Sequence, residues 1–390
     1  MTRRRVWVAG IGAVTPLGGT WSTSVEALAS GAIAIRPVTR FELTGFPCVV
    51  AAPVAVAVGE RDRRMAIARQ AAAEAWTRAG IDVASDRIGV FVGAEAGRPD
   101  FATAVAVARA IGAKASLAAL APRISSSVMS PAAIASALAG TIGAHGPVET
   151  LSLACASSAA AIAEATRAIR SGECDVALAG GVGTDVDQIM LASFGRLGAL
   201  SARGVSCPFD VRRDGFVVGE GAAFVVLASD PRAAIAEVAG IGRTMDAYRL
   251  TAPEPGGIGA SRAMQAALAD AGLDAVDYVQ AHGTSTPLND AAEAEALHRV
   301  LGRGLDRTRV SSVKGAIGHA IAGAGALGFL CAVEAVARGR MLPTAGLVEP
   351  DPRCALPHIT GRALTASAAT ALVSSFAFGG ANVCLAVRAI

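Results

Sequence analysis

The chain has 390 residues, of which 53% are hydrophobic, and a formal net charge of +3. This length suits two domains or one fold built twice, and the small net charge gives no reason to expect nucleic acid or an anionic membrane surface as a partner. The seven cysteines never fall at C-x-x-C spacing, which argues against a metal site of the zinc type and against a disulfide framework.

The N-terminal segment starts with basic residues but lacks the uninterrupted apolar core of a signal peptide, because Gly10, Gly12 and Pro16 interrupt it. The most apolar run, residues 320–333, is too short and too rich in glycine to cross a bilayer. We therefore expect a cytoplasmic protein that does not insert into a membrane.

An internal repeat follows in chain order. Residues 8–12, V-A-G-I-G, recur as residues 238–242, and a similar recurrence of helix and apolar strand joins the first part of the chain to the second. Two related halves, 1–229 and 230–390, are predicted. In both, apolar strands alternate with helices, which favours an α/β fold with largely parallel sheets in five layers, α/β/α/β/α. Neither glycine pair continues as G-x-G-x-x-G, so a nicotinamide cofactor is not expected.

The first chemically distinctive stretch is residues 151–162, where an apolar strand ends at Cys155 and an alanine-rich helical pattern begins. Unpaired N–H groups and the positive end of the helix dipole favour a thiolate at a helix start, so Cys155 is a candidate nucleophile. The alternative is that this cysteine is a small buried core residue, the usual fate of cysteine.

Two loops of the second half carry histidines after predicted strands. His282 follows the strand at 278–281, and His319 ends a loop that also contains Lys314, one of only two lysines among 35 basic residues. Each histidine alone has a structural role as its simpler explanation. Together with Cys155 they suggest a cysteine and two imidazoles that converge across the duplicated fold.

Near the C-terminus, F-A-F-G-G-A-N at 376–382 places a glycine pair after an apolar strand. Such a turn can approach a ligand closely and present its backbone N–H groups, although a plain turn with two core phenylalanines is the alternative.

Four motifs in this order resemble the β-ketoacyl-acyl carrier protein synthases of the thiolase superfamily. They are Cys155, H-G-T-S-T-P at 282–287, K-x-x-x-G-H at 314–319 and F-x-F-G-G-x-N at 376–382, and P-F-D at 208–210 is similar to a further stretch of that family. The resemblance extends over nearly the whole chain. It implies a thiolase-like duplicated fold and decarboxylative condensation of malonyl-acyl carrier protein with an acyl group.

The resemblance also implies roles for individual residues. Cys155 would carry the acyl group, and its N–H with that of Phe378 would form an oxyanion hole. His282 and His319 would bind the malonyl thioester carbonyl, and Lys314 would keep His319 neutral and oriented. The remaining implied substrate-binding residues, with Phe378 also acting as a gate, are Thr284, Thr286, Phe376 and Ala96. No metal and no redox cofactor are expected. The substrates would be carried on the phosphopantetheine of acyl carrier protein.

Three residues depart from the pattern of that family. Leu153 stands where threonine is usual, Gly328 where many members have a glutamate, and Ala96 where a larger aliphatic residue often closes the acyl pocket. The first two leave ordinary fatty-acid elongation open to question, so a type II polyketide or polyene pathway is an alternative. Ala96 suggests a longer pocket or a bulkier starter.

The second alternative is a non-catalytic, chain-length-setting partner subunit of a ketosynthase heterodimer, although such partners characteristically lack the cysteine. A thiolase using coenzyme A would show a second catalytic cysteine, and Cys384 lies instead in an apolar strand pattern. The resemblance implies a homodimer, with a heterodimer containing a paralogous subunit as the alternative.

Overall fold

The computed structural model describes residues 4–55, 62–121 and 129–390. The strands are β1 (Trp7–Val14), β2 (Arg36–Pro37), β3 (Val50–Ala51), β4 (Ile88–Gly93), β5 (Val148–Leu151), β6 (Val176–Thr184), β7 (Glu220–Ala228), β8 (Ala236–Met245), β9 (Tyr278–Gln280), β10 (Arg309–Ser311), β11 (Arg340–Met341), β12 (Leu364–Thr365), β13 (Thr370–Phe376) and β14 (Ala381–Arg388). The α-helices are α1 (Trp21–Ala29), α2 (Arg63–Ala79), α3 (Phe101–Gly112), α4 (Ala133–Ile142), α5 (Ser157–Ser171), α6 (Gln188–Arg196), α7 (Ile258–Ala271), α8 (Pro287–Leu301), α9 (Lys314–Ile317) and α10 (Ala324–Arg338).

Ten strands form one sheet in the order β10-β9-β13-β14-β8-β1-β7-β6-β4-β5. Read outward from the junction of β8 and β1, both halves of this sheet have the same order, which is first, fifth, fourth, second and third strand of the half. The halves meet through a short antiparallel pairing in which Trp7 and Val8 lie opposite Glu237 and Ala236. This repeated topology explains the repeat in the sequence.

The strand directions correct one prediction, because the sheets are mixed rather than largely parallel. In the first half β4 runs parallel to β5 and β6, whereas β7 is antiparallel to both β6 and β1. The second half repeats this arrangement. A strand that is buried on both faces is apolar throughout whatever its direction, so its sequence does not report the direction.

Alternate side chains of the strands enter two different cores, which gives the predicted layers. In β7, Ala223, Val225 and Leu227 face the core that contains α5 and α10, whereas Phe224 and Val226 face the core that contains α2 and α4. Helices α5 and α10 contact each other and both halves of the sheet, and α7 covers the second half as α2 covers the first. The α/β/α/β/α prediction is confirmed.

The glycine pairs of the repeat allow this close packing of helix on strand. A Cβ at Gly12 would lie 2.3 Å from the carbonyl oxygen of Ala71 in α2, and one at Gly242 would lie 1.9 Å from that of Ala263 in α7. Both distances are shorter than van der Waals contact permits, so each half needs glycine where its first strand crosses its covering helix.

The helical stretch Ile321–Arg338 is longer than the sequence predicted. Its 18 residues have a mean hydropathy of 1.5, which by length and composition alone would suffice to cross a membrane. However, 83% of the stretch is buried inside the fold, where it includes the central helix α10. A core helix of this kind accounts for its apolar character.

Candidate active site

The predicted site residues lie beyond the carboxyl ends of parallel strands, which meet at one edge of each half-sheet. Cys155 follows β5, His282 follows β9, Lys314 follows β10, and Phe378 follows β13. A cavity of about 530 Å³ lies between the halves, and the residues lining it include Cys155, His282, His319 and Phe378. The structure thus brings together the nucleophile predicted from one half and the imidazoles predicted from the other.

Cys155 lies in a single 3₁₀ turn, Ala154–Ala156, directly before α5, as the strand-to-helix prediction required. The turn is tight because Ala154 has a left-handed backbone with φ of 45°. The carbonyl oxygen of Cys155 accepts a hydrogen bond of 3.0 Å from Ser375 Oγ in β13, which ties the turn to the second half. The side chain is 7% exposed and faces the cavity.

The protonation state of Cys155 differs from the expectation of a favoured thiolate. Burial raises the pKa of the thiol to about 12, while the charge of Lys314 and a hydrogen bond from the Phe378 N–H act in the opposite direction. Desolvation therefore outweighs the favourable groups in the unliganded protein, and Cys155 is a neutral thiol near neutral pH. The contact from Phe378 places one predicted oxyanion-hole N–H beside the sulfur.

His319 is held in one tautomer by the backbone. The N–H of Ile321 donates to Nδ1 of His319 at 3.2 Å, so Nδ1 carries no proton and Nε2 carries one. Within the described residues this buried Nε2–H has no acceptor. Burial, followed by the charge of Lys314, holds the pKa of His319 well below its usual value. A neutral imidazole with an unpaired N–H therefore faces the cavity as a donor for a substrate oxygen.

His282 lies beside His319, with ring centroids 5.5 Å apart and planes 83° apart. Its backbone N–H and that of Gly283 donate to the two oxygens of Glu293, each at 2.8 Å. Burial, then Lys314 and then His319 hold the pKa of His282 well below its usual value. Both imidazoles are therefore neutral at physiological pH, and each can donate a hydrogen bond from one ring nitrogen.

Lys314 affects both histidines electrostatically but orients neither ring. Its Nζ donates to the carbonyl oxygen of His282, so the lysine holds the His282 loop, while Ile321 holds the ring of His319. This corrects the expectation that Lys314 orients His319. The charge effect on His319 has the expected direction, because Lys314 lowers its pKa.

Lys314 has a charge partner in Glu293, although Gly328 stands where many members of the resembled family have a glutamate. Burial lowers the pKa of Lys314 and raises that of Glu293, and the opposite charges of the two groups counteract these shifts. A Cβ at Gly328 would lie 3.3 Å from Cγ of Gln280, so neighbouring side chains leave little space for a side chain at position 328. The carboxylate that acts on Lys314 therefore comes from α8 rather than from α10.

The other residues assigned from the resemblance fall into two groups. Thr284, Thr286 and Phe376 line the cavity, with the two threonine hydroxyl oxygens 2.9 Å apart and the ring centroid of Phe376 5.6 Å from that of His282. Ala96 does not line this cavity and is exposed in the single chain. The structure therefore does not bring Ala96 to the other site residues.

The Phe378 turn is shaped by its glycine pair. Gly379 and Gly380 both have left-handed backbones, with φ of 87° and 84°, in the four-residue connection between β13 and β14, and glycine adopts this conformation without the steric cost of a Cβ. Asn382 Nδ2 donates to Asp246 at 2.6 Å, and the N–H of Asp246 donates to the carbonyl oxygen of Gly380 at 2.8 Å. The turn is thus anchored from β8 and its following loop.

Sequence reasoning missed three carboxylates that hold these loops. Glu293 binds the His282 loop, Asp290 accepts from Thr284 N at 2.9 Å and from Ser285 N at 3.2 Å, and Glu95 binds the Cys155 turn. Asp290 and Glu293 could have been found, since they stand three residues apart on one face of the helix that follows the His282 loop. Glu95 carries no such local signal.

Among the residues that the structure describes, no cluster of three or more His, Cys, Asp or Glu side chains is arranged to hold a metal ion. Cys384 is buried within β14, in the core formed with α7 and α8.

Two family models match the chain: "Beta-ketoacyl synthase, N-terminal domain" over residues 3–233 and "Beta-ketoacyl synthase, C-terminal domain" over residues 235–348. The 3-oxoacyl-(acyl-carrier-protein) synthase 2 of Synechocystis sp. is 34% identical over an alignment of 420 positions, gaps included, which covers 100% of this chain and 99% of the relative.

Two solved structures are similar over their whole length. The ishigamide ketosynthase/chain length factor has a TM-score of 0.88 and 31% sequence identity. A type II PKS ketosynthase has a TM-score of 0.86 and 27% sequence identity; it is bound to the hexaketide and in complex with its acyl-carrier protein. Each match covers 100% of both chains. With the cysteine and the two neutral imidazoles converging in one cavity of a duplicated α/β fold, these matches show that the chain belongs to the β-ketoacyl synthase family of condensing enzymes.

Proposed function

We propose that the protein is an acyltransferase that condenses malonyl-acyl carrier protein with an acyl group carried on Cys155 and releases 3-oxoacyl-acyl carrier protein. The observation that carries this proposal is the Nε2–H of His319, which has no acceptor among the described residues and faces the same cavity as Cys155. A buried donor without an acceptor is costly, and a substrate oxygen in the cavity would satisfy it.

In the first step Cys155 Sγ attacks the thioester of an acyl carrier protein. The acyl group moves to Cys155, and the departing phosphopantetheine sulfur takes up the proton that the cysteine loses. The N–H groups of Cys155 and Phe378 would bind the oxyanion of the tetrahedral intermediate, as proposed from the resemblance. In support, the Phe378 N–H already reaches Cys155 Sγ.

In the second step malonyl-acyl carrier protein loses CO2, and the electrons of the broken bond form an enolate. His282 and His319 would donate to its oxygen, which develops negative charge. The enolate carbon attacks the Cys155 thioester, a carbon–carbon bond forms, and the Cys155 sulfur leaves and regains a proton. The chain is then two carbons longer, and the chemistry requires no metal and no redox cofactor.

Thr284 and Thr286 would hydrogen-bond the amides of the phosphopantetheine arm, and Phe378 would gate the acyl pocket. These roles suit their positions, because all three residues line the cavity. The second candidate, a non-catalytic chain-length subunit, is not favoured, since Cys155 and both histidines are present in one site.

The proposed partners are acyl carrier protein and a second ketosynthase-type chain, which gives a homodimer or a heterodimer. Within the described residues β5 is an end strand of the sheet, and Val148 at its start is 42% exposed. Open sheet edges are normally covered. Native mass spectrometry should therefore find two chains, and a lone chain at all concentrations would contradict the proposal. We also propose a cytoplasmic location, which recovery in a washed membrane fraction would contradict.

The test of the function is mass spectrometry after incubation with acyl carrier proteins bearing saturated or polyunsaturated starters and with malonyl-acyl carrier protein. We expect acyl mass on Cys155 and a 3-oxoacyl product, both absent from Cys155→Ala. The preferred starter would distinguish fatty-acid from polyketide use. Absence of loading with every starter would contradict the catalytic proposal.

A further inference from the structure

Glu95 reaches the nucleophile turn because β4 and β5 are parallel neighbours. Gly93 lies opposite Leu151 in this pairing, and the N–H of Ala94 donates to the carbonyl oxygen of Leu151 at 3.1 Å. The loops that leave the two strands therefore start side by side. Glu95 is two residues beyond its strand and Ala154 is three residues beyond the neighbouring one, which brings the carboxylate to the turn.

Three donors of the nucleophile turn reach this carboxylate. The Ala154 N–H lies 2.9 Å from Oε1, the Ser152 hydroxyl 2.7 Å from Oε2, and the Ser157 hydroxyl 3.2 Å from Oε1. Ser157 Oγ is also 2.7 Å from the carbonyl oxygen of Ala154, so its proton is shared with that closer acceptor. One carboxylate thus spans the turn from Ser152 to the first residue of α5.

The turn needs this restraint because Ala154 is strained. Its φ of 45° lies in the left-handed region, which a residue with a Cβ adopts only when its surroundings impose it. Ala154 directly precedes Cys155, so its conformation sets the direction of the Cys155 N–H and of the Cys155 side chain. Leu153 offers no polar side-chain group to the turn and packs against the central core.

From these contacts we infer that Glu95 is a positioning residue, which holds Ala154 in its left-handed conformation and thereby aims Cys155 at the acyl thioester. Glu95 acts on the proposed nucleophile, so this role rests on the proposed function. The backbone of Glu95 is itself fixed, because its carbonyl oxygen accepts a 2.7 Å hydrogen bond from Nη1 of Arg64 in α2.

The duplicated register supports this assignment. Gly93 is paired with Leu151 in the first half as Gln280 is paired with Ser311 in the second. Two residues beyond these positions stand Glu95 and His282, which therefore occupy equivalent places in the two halves. In one half this place supplies a hydrogen-bond acceptor for the neighbouring loop, and in the other it supplies an imidazole of the site.

Two substitutions separate the reach of Glu95 from its charge. Glu95→Gln keeps the length and the oxygen that accepts from Ala154 N but removes the charge, whereas Glu95→Asp keeps the charge and shortens the side chain by one methylene group. Because misplacement of a reacting group by an ångström is costly, Glu95→Asp should slow acylation of Cys155 by about 10- to 100-fold. Glu95→Gln should react at least as fast as wild type, because it keeps the contact with the Ala154 N–H and removes a negative charge that raises the pKa of the Cys155 thiol. This amounts to rescue by the conservative variant.

For the wild-type protein and both variants, the rate of Cys155 acylation and the rate of Cys155 alkylation by iodoacetamide are measured, together with the midpoint of thermal unfolding. A purely structural role would lower the midpoint and leave both rates of the folded protein unchanged, and this would overturn the inference. Equal rates in the two variants, or a slower Gln variant, would also overturn it. If Glu95→Asp does not fold, Ser152→Ala removes one of the three donors and should slow acylation to a smaller extent, whereas a wild-type rate would overturn the inference. Failure of the wild-type protein to load any acyl group would instead contradict the proposed function, and the alkylation rates would still report on Glu95.

Discussion

The pH dependence of Cys155 reactivity tests the electrostatics of the site most directly. Burial raises the pKa of this thiol to about 12, so at about pH 8 on the order of one thiol in ten thousand is ionised. Since only the thiolate is alkylated, the rate of alkylation should rise about tenfold per pH unit between about pH 6 and pH 10, without a plateau. The folded state has the higher pKa, so this thiol stabilises the fold fully below its unfolded pKa of about 8.5, and the contribution is lost as the pH rises towards 12.

The assay is mass spectrometry of the Cys155 peptide after short exposures to iodoacetamide at each pH. Lys314→Met should slow alkylation at the lower pH values, where Lys314 is charged and that charge lowers the pKa of the thiol. The effect should fade towards pH 10, since burial also lowers the pKa of Lys314. The Cys384 peptide is an internal control for unfolding, since that side chain is 0% exposed and outside the cavity. A plateau of the wild-type rate below about pH 8 would refute the reasoning and restore the favoured thiolate that the helix start suggests.

Two further predictions concern packing and the histidine donors. Gly242→Ala would force a Cβ to within 1.9 Å of the Ala263 carbonyl oxygen and should lower the free energy of unfolding by about 1–3 kcal/mol or more in chemical denaturation. Gly140→Ala, whose Cβ would meet none of the described residues within 4 Å, should not lower it, and equal effects would contradict the packing argument. His319→Ala should lower kcat by about 100- to 1000-fold while Cys155 still accepts an acyl group. His145→Ala, a control at an exposed position, should leave kcat unchanged. If His319→Ala instead prevented the acylation of Cys155, His319 would have a different role.

The repeat in the sequence was sufficient to predict two related halves in five layers, because the spacing of apolar residues and the glycine pairs record helix and strand packing. It was insufficient to predict the antiparallel strands β7 and β14. Both are buried on two faces, so their apolar runs look the same in either direction. Strand direction depends on how the chain returns between elements, which a local pattern does not record.

The candidate site could be predicted wherever a residue type is rare or a turn is distinctive, as with Cys155, His319 and the glycine pair after Phe378. The pKa of the thiol could not, because it depends on how much solvent the second half excludes. Glu95 was also beyond prediction as a loop anchor, since its partners lie 57 to 62 residues away and meet it only through the pairing of β4 with β5. Ala96 was assigned to the pocket by resemblance, and the single chain leaves it at the surface.

In both halves a glutamate carboxylate holds a loop of the site by accepting hydrogen bonds from backbone N–H groups. Glu95 accepts from the Ala154 N–H in the first half, and Glu293 accepts from the N–H groups of His282 and Gly283 in the second. Each carboxylate thus binds the backbone N–H groups that hold a loop in place, while the donors left unpaired within the described residues include the Nε2–H of His319. Because the loops are already satisfied by these carboxylates, a substrate oxygen that enters the cavity does not compete with the fold for the remaining donors. In the proposed condensation, the charge that develops would therefore meet donors whose positions were set by folding, and little reorganisation would be left for the moment of reaction.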